Sequence, residues 1–318
     1  MDGFGAGVNA PLIAVRAIHF SATALTTGTV VFRTLIARPG LKDEPVALAV
    51  RAQTLKVAWI GLAVTALSGV IWLLLQAVSM SGLPLRESMS ARVLWTVADQ
   101  TQFGLVMQIR SLLAIVLVGC LAVPRRPWTE WLGLAAALGL SAAIAWTGHA
   151  ASTLGPIGNL HVAADALHLV AAGAWIGGLV PLVLLLAAAG RQPVVACASQ
   201  AREATRRFST LGIVSVVTLA ASGIINAWIL VGSVRALLIT EYGRLLMLKL
   251  GLFAIMLVFA AANRFRLTPR LVASTSTGPQ RAVLRQLTRN STIEIGLGLA
   301  IFVIVGMLGT LHPAIHFL

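Results

Sequence analysis

The chain has 318 residues, of which 58% are hydrophobic and only 11% are charged, and its mean hydropathy is +0.90. A soluble domain carries about 25% charged residues, so the composition excludes an ordinary soluble enzyme or binding domain. A formal net charge of +14 would indicate a nucleic-acid partner in a soluble protein, but here the placement of basic residues in loops explains the charge without one.

Apolar stretches of about 20 residues recur along the whole chain, which predicts an all-α polytopic membrane protein embedded in the lipid bilayer. We expect eight helices, at residues 10–37, 55–80, 103–123, 130–150, 159–189, 208–232, 243–263 and 291–311. The first residues, MDGFGAGVNA, contain no basic residue, and the apolar stretch that follows is too long for a signal peptide. We therefore expect no cleavable signal peptide.

The basic residues are unevenly distributed between the two sides of this arrangement. Most of the 24 Lys and Arg residues lie in the connections that follow helices 1, 3, 5 and 7. Because basic loops stay in the cytoplasm, the N- and C-termini are predicted to be periplasmic.

Helix 5 carries three ionisable side chains inside an otherwise apolar segment. His161, Asp165 and His168 are spaced at i, i+4 and i+7, which places them within roughly 60° of one helix face. Ionisable groups are costly within a bilayer, and their presence there indicates a functional site.

All six histidines fall in the half of the protein that is predicted to be periplasmic. They are His19, His149, His161, His168, His312 and His316. Imidazole and thioether groups suit copper, so we predict a copper site in this half with the histidines as ligands. Candidate auxiliary ligands on the same side are Met107, Met247, Met307 and Asp165.

The two halves of the chain share four short motifs in the same order. Each half has a histidine followed nine residues later by glycine (His19 and His168), then a Ser-Gly pair at 68–69 or 222–223. Helices 3 and 7 open with TQFG and TEYG, each followed six residues after the glycine by a basic residue. The fourth match pairs WTGHA with GTLHPA.

These matches predict a duplication, with one four-helix unit at 1–150 and a second at 151–318. Four helices return the chain to the same side, so the repeats would be parallel and related by an axis along the membrane normal. His19 and His168 would then share one depth. Arg16 corresponds to Asp165, and we expect these two residues to form an ion pair across the axis.

The second half contains longer motifs that identify a family. They are GHAA at 148–151, HLVAAGAWIGGLVPL at 168–182, RRFS at 206–209, SG at 222–223, YGRLLMLKLGLF at 242–253, AANRFRLTP at 261–269 and LHPAIH at 311–316. In these motifs the chain resembles the CopD family of bacterial inner-membrane copper-resistance proteins.

The resemblance implies copper handling in the inner membrane, movement of copper into the cytoplasm, and a periplasmic copper carrier of the CopC type as partner. Carried over by motif, His149, His168, His312 and His316 take a copper-binding role. His19 is not part of a family motif, and its assignment follows from the internal repeat and its depth.

Three other classes of protein remain as alternatives. The first is a b-type haem-binding electron-transfer protein, with haem held by His19 and His168 or by His149 and His312. The second is an enzyme, for which we find neither a His-Glu-x-x-His motif nor a nucleophile and base at useful spacing, so we predict a non-enzyme. The third is a structural subunit with incidental histidines.

The position of the ligands also favours a direction of transport. An exporter would need to capture copper near the cytoplasm, where only two separated cysteines, Cys120 and Cys197, are available. The histidines and methionines are instead on the predicted periplasmic side. We therefore expect copper uptake.

Overall fold

A computed structural model describes residues 6–38, 45–123, 126–153, 155–191, 195–273 and 277–317, without the side chains of 6–9, 45–47, 195–198, 277 and 316–317. The side chains of Cys197 and His316 therefore lie outside the described part of the chain. Eight helices within these residues are long and apolar enough to cross a membrane, and no strand occurs among them. The prediction of an all-α multi-pass membrane protein is confirmed.

The spanning helices are numbered α1 to α8 in chain order. Their bounds are α1 Ala10–Ala37, α2 Leu48–Ser81, α3 Gln102–Ala122, α4 Pro127–Thr147, α5 Gly155–Arg191, α6 Ser199–Val231, α7 Glu241–Ala273 and α8 Gly278–Leu308. We call the end of the bundle that carries His149 and His312 the histidine end, and the opposite end the basic end.

Several helices are longer than the apolar pattern predicted, because they continue beyond the apolar region at the basic end. With 34 residues, α2 is about 50 Å long at 1.5 Å per residue, whereas the hydrocarbon core of a bilayer is about 30 Å thick. The segment between the predicted helices 7 and 8 is also mostly helical, since α7 continues to Ala273 and α8 begins at Gly278. Hydropathy locates only the apolar part of a helix, so it does not predict these polar turns.

At the histidine end, short helices connect the spans. Leu85–Ser88 and Ala91–Gln100 lie between α2 and α3, and Val234–Ile239 lies between α6 and α7. The last turns of α4 are a 3-10 helix at Ala143–Thr147, and a second 3-10 helix follows at His149–Ser152.

The motif Thr-x-aromatic-Gly has the same structural role in both halves. Thr101 and Thr240 are the N-caps of α3 and α7, and their hydroxyls accept a hydrogen bond from the backbone N–H of Gly104 and Gly243, each at 3.0 Å. A Cβ on either glycine would overlap carbonyl oxygens of the preceding short helix. The motif therefore lets each short helix fold closely against the start of the next span.

The first and fifth helices form the centre of the bundle. Most of α1 and α5 is buried inside the protein, whereas only a small part of α3, α6 and α7 is buried. These three helices present exposed apolar side chains such as Ile115, Val217 and Val258. Such exposed apolar surfaces are suited to lipid. Within each half the first helix packs against the second and the fourth.

Helices α1 and α5 cross at a contact between glycines. A Cβ on Gly28 would overlap backbone atoms of Gly173, Gly177 and Gly178, and a Cβ on Gly177 would overlap the carbonyl of Ala24. Small residues allow this close approach of membrane helices. His19 lies nine residues before Gly28, and His168 lies nine residues before Gly177. Repeated units are expected to share such a spacing. The rotation that relates the two halves stays a prediction.

Replacing Gly28 with alanine is expected to destabilise the protein, because the new methyl group would meet backbone atoms that move only if α1 and α5 separate. Overpacking of this kind costs about 1–3 kcal/mol, to be measured as a lower thermal unfolding midpoint in detergent. The matched control is Gly251→Ala in α7, where an added Cβ meets no atom within 4 Å. Equal midpoints for the two variants would contradict the proposed tight crossing.

Candidate functional site

The imidazole of His168 is held in one orientation by a serine of α6. The Ser222 hydroxyl donates to the carbonyl oxygen of Thr218 at 2.6 Å, so its oxygen accepts from the Nδ1–H of His168 at 3.0 Å. Gly223 faces Cε1 of the same ring. This arrangement places the proton on Nδ1 and leaves Nε2 with its lone pair, the form of imidazole that binds metals.

His19 has the same surroundings in the first half, with one difference. Its Nδ1 lies 2.9 Å from the hydroxyl of Ser68, which donates to the Val64 carbonyl at 2.6 Å, and Gly69 faces its Cε1. Its Nε2, however, accepts a hydrogen bond from Arg110 at 2.6 Å. The lone pair that would bind a metal is therefore taken by a cationic group.

Polar groups of α5, α6 and α7 meet one turn from His168. Asp165 accepts from the side-chain amide of Asn226 at 3.2 Å. Lys249 lies within electrostatic range of both Asp165 and His168, and Tyr242 lies within range of Asp165. The second half thus contains an acid and a base within electrostatic range of each other and of an oriented imidazole.

The expected ion pair between Arg16 and Asp165 is wrong. Asp165 is engaged by groups of its own half, whereas the Arg16 guanidinium lies over the rings of Phe20 and Trp72, at 5.6 and 5.2 Å from their centroids. Arg16 and Asp165 occupy equivalent positions in the two repeats, but residues at equivalent positions need not be in contact.

Two histidines lie close together at the histidine end. His161 Nδ1 lies 2.9 Å from the Thr153 hydroxyl, and His149 is within electrostatic range of His161. The Nε2 of His149 contacts the Leu308 carbonyl oxygen at 3.3 Å, and its ring meets that of Tyr242 edge-on at 6.3 Å. His161 and His168 are seven residues apart, so about 10 Å of helix separates them.

A cavity of about 430 Å³ opens beside these groups. It is lined in part by His149, Thr153 and Pro313. His312 precedes Pro313 and is exposed, and the backbone of His316 lies in the 3-10 helix Ala314–Phe317.

The predicted ligands do not form one cluster. In the part of the chain that the structure describes, no group of three His, Cys, Asp or Glu side chains is close enough to hold a metal ion. His149 and His161 form one group, His168 and Asp165 a second, and His19 is separate. Of the auxiliary residues, Met107 is buried in the core, while Met247 and Met307 are half-buried.

The sequence predictions missed the partners that orient the histidines. The sequence shows Ser68 and Ser222, like Arg110 and Lys249, as repeated residues, but it does not show them as neighbours of the histidines. The sequence does contain a signal for these contacts. In each half a serine and a basic residue recur together with a histidine inside apolar spans, and polar groups in a membrane pair with one another.

Two protein-family models match the chain. One is described as copper resistance protein D-like, N-terminal domain, and matches residues 7–159. The other is described as copper resistance protein D and matches residues 202–308.

Three curated proteins are similar in sequence. Inner membrane protein YebZ of Escherichia coli is 31% identical over 304 residues, which are 95% of this chain and 98% of that protein. Copper resistance protein D of Pseudomonas syringae is 34% identical over 176 residues, 54% of this chain and 56% of that protein. Copper transport protein CutJ of Bacillus subtilis is 32% identical over 276 residues, 80% of this chain and 46% of that protein.

Proposed function

This chain belongs to the copper resistance protein D family, as its motifs predicted, and from that premise we propose that it carries copper across the bacterial inner membrane through its C-terminal half. The family makes it a copper-related membrane protein. The names of two relatives, a copper resistance protein and a copper transport protein, support copper as the cargo.

The single observation that carries this proposal is the state of the His168 imidazole. Its Nδ1 is bound to Ser222, and no hydrogen bond to its Nε2 is found among the described residues. His19, its counterpart, has both nitrogens engaged. His168, which is half-buried, is therefore the intramembrane histidine best prepared to bind a metal ion in the arrangement described.

The remaining ligands of the C-terminal half suggest a route. We assign entry to His149 and His161 at the histidine end, next to the cavity there. A cation would pass from this pair toward Asp165, whose carboxylate attracts it, and then to His168. Lys249 balances the charge of Asp165 when no copper is present.

The topology and direction follow from charge. With the basic end in the cytoplasm, the termini and the histidine end are periplasmic, and a carrier of the CopC type would deliver copper there. No nucleotide-binding motif occurs in the sequence. An inward-negative potential supplies about 2.3 kcal/mol per charge per 100 mV to an entering cation, so we propose downhill uptake.

Haem binding, the alternative from sequence, gains no support. None of the matched families or relatives is named for haem. A haem between His19 and His168 would also require Arg110 to leave Nε2 of His19.

Cells that overproduce the protein together with its periplasmic carrier are expected to accumulate more cytoplasmic copper and to become more sensitive to copper. The measurement is cell-associated copper after removal of the periplasm, compared with cells that produce the His168→Gln variant at the same level. A fall in cytoplasmic copper that depends on His168 would instead identify an exporter. Unchanged accumulation by a protein that still binds copper would contradict transport.

A further inference from the structure

Two arginines are buried in the N-terminal half, where α1, α2, α3 and α4 meet. Arg16 on α1 is 7% exposed and Arg110 on α3 is 4% exposed. No salt bridge to either guanidinium is found among the described residues. Asp165, a half-buried carboxylate toward the same end, interacts with Asn226 and Lys249 in the other half.

Arg110 has hydrogen-bond acceptors, but none of the described residues pairs a carboxylate with its charge. It donates to the carbonyl oxygen of Leu140, to Nε2 of His19 at 2.6 Å and to the hydroxyl of Thr23 at 3.2 Å. All three acceptors are neutral. A full positive charge without a counter-charge is very costly inside a membrane.

For Arg16, the described residues supply neither a hydrogen-bond acceptor nor a carboxylate. Its guanidinium lies over Phe20 and Trp72 and against Gly309, the residue that follows α8. Its Nε is buried and has no hydrogen-bond partner among the described residues. The same holds for the indole Nε1 of Trp72, a residue with no exposed surface. The aromatic rings attract a cation through their faces, but they offer no acceptor to these N–H groups.

The two arginines belong to one cluster, linked through His19. The ring of His19 lies 5.2 Å from that of Trp72, which contacts Arg16, and its Nε2 accepts from Arg110. In the part of the chain that the structure describes, two unpaired donors, Arg16 Nε–H and Trp72 Nε1–H, therefore adjoin two positive charges without a carboxylate partner. Buried donors are rarely left unpaired, and each such group calls for an explanation.

We propose that this cluster is a binding site for a small monovalent anion of the chloride class, which accepts hydrogen bonds from Arg16 Nε and Trp72 Nε1. One such ion would satisfy both donors and offset part of the positive charge. A halide suits the site because it carries one charge and needs few donors. The site is independent of the copper route in the C-terminal half.

The test uses full-length, copper-free protein in detergent, prepared in sodium gluconate and titrated with sodium bromide at constant ionic strength. We expect the thermal unfolding midpoint to rise and saturate with bromide, because a ligand that binds the folded state stabilises it. Part of the tryptophan fluorescence should be quenched over the same concentrations. A midpoint that is the same in gluconate and bromide would overturn the proposal and indicate that water occupies the donors.

Variants locate the effect. Arg16→Gln should abolish the bromide-dependent rise, whereas the matched control Arg244→Gln, an exposed arginine at the same end of the bundle, should keep it. Trp72→Phe retains a packed ring without the N–H, so bromide affinity should fall about 2- to 10-fold and the saturable quenching should disappear. Bromide dependence that survives in both the Arg16 and Trp72 variants would place the anion elsewhere and refute this site.

Discussion

The purified His168→Gln variant is expected to lose most of the copper binding of the wild-type protein. The glutamine side chain cannot supply the imidazole lone pair that Ser222 orients. Loss of an outer partner of a metal ligand typically weakens binding about 10- to 100-fold, so loss of the ligand itself should exceed that range. The measurement is copper affinity in detergent, with an absorption spectrum that should show no Soret band.

The matched control is His19→Gln, the same change at the counterpart in the first half. Its amide oxygen can still accept from Arg110, and the proposed route does not pass through it, so copper affinity should remain near that of the wild type. Equal losses in the two variants would place the cargo between the halves, as the repeat alone suggests. No loss in either would remove both histidines from the site.

The Asp165→Asn variant is expected to be destabilised, although the asparagine side chain has nearly the same shape as aspartate. The new amide oxygen can still accept from Asn226, but the charge of Lys249 loses its counterpart within the membrane. Breaking a buried ion pair from one side costs about 3–5 kcal/mol. No salt bridge within 4.0 Å joins Asp165 to Lys249 among the described residues, so we expect a cost below this range. The thermal unfolding midpoint in detergent reports it.

The double variant Asp165→Asn/Lys249→Met separates charge balance from local packing. It contains neither charge, so its stability should recover much of what Asp165→Asn loses, while copper uptake should remain low because the attracting carboxylate is absent. If the double variant is less stable than both single variants, charge balance does not explain the pairing. Normal uptake by a stable double variant would remove Asp165 from the route.

The spans were predictable because the bilayer imposes a long apolar stretch on every helix that crosses it. All eight were found in this way, with α4 and α7 starting within a few residues of the expected positions. The starts of α2, α6 and α8 were not predicted correctly, because the first turns of these helices lie outside the apolar region. Those turns are stabilised as continuations of a helix already formed, which hydropathy does not report.

The candidate site was predictable in its residue types but not in its contacts. The depth of His19 and His168 follows from position along a helix, whereas the hydrogen bond between Arg110 and His19 depends on how α3 is rotated against α1. The error over Arg16 and Asp165 has the same origin. A repeat reports which positions are equivalent, and only the packing of four helices determines which of them touch.

The hydrogen bond between Ser222 and His168 has a consequence for the electrical balance of transport. Because the imidazole already has its proton on the nitrogen that faces Ser222, a copper ion binding at Nε2 displaces no proton there. On the proposed route each ion would then cross with its charge uncompensated by an outgoing proton from this residue. Turnover should be electrogenic, and proteoliposomes should show a copper-dependent current without matching alkalinisation or acidification of the lumen.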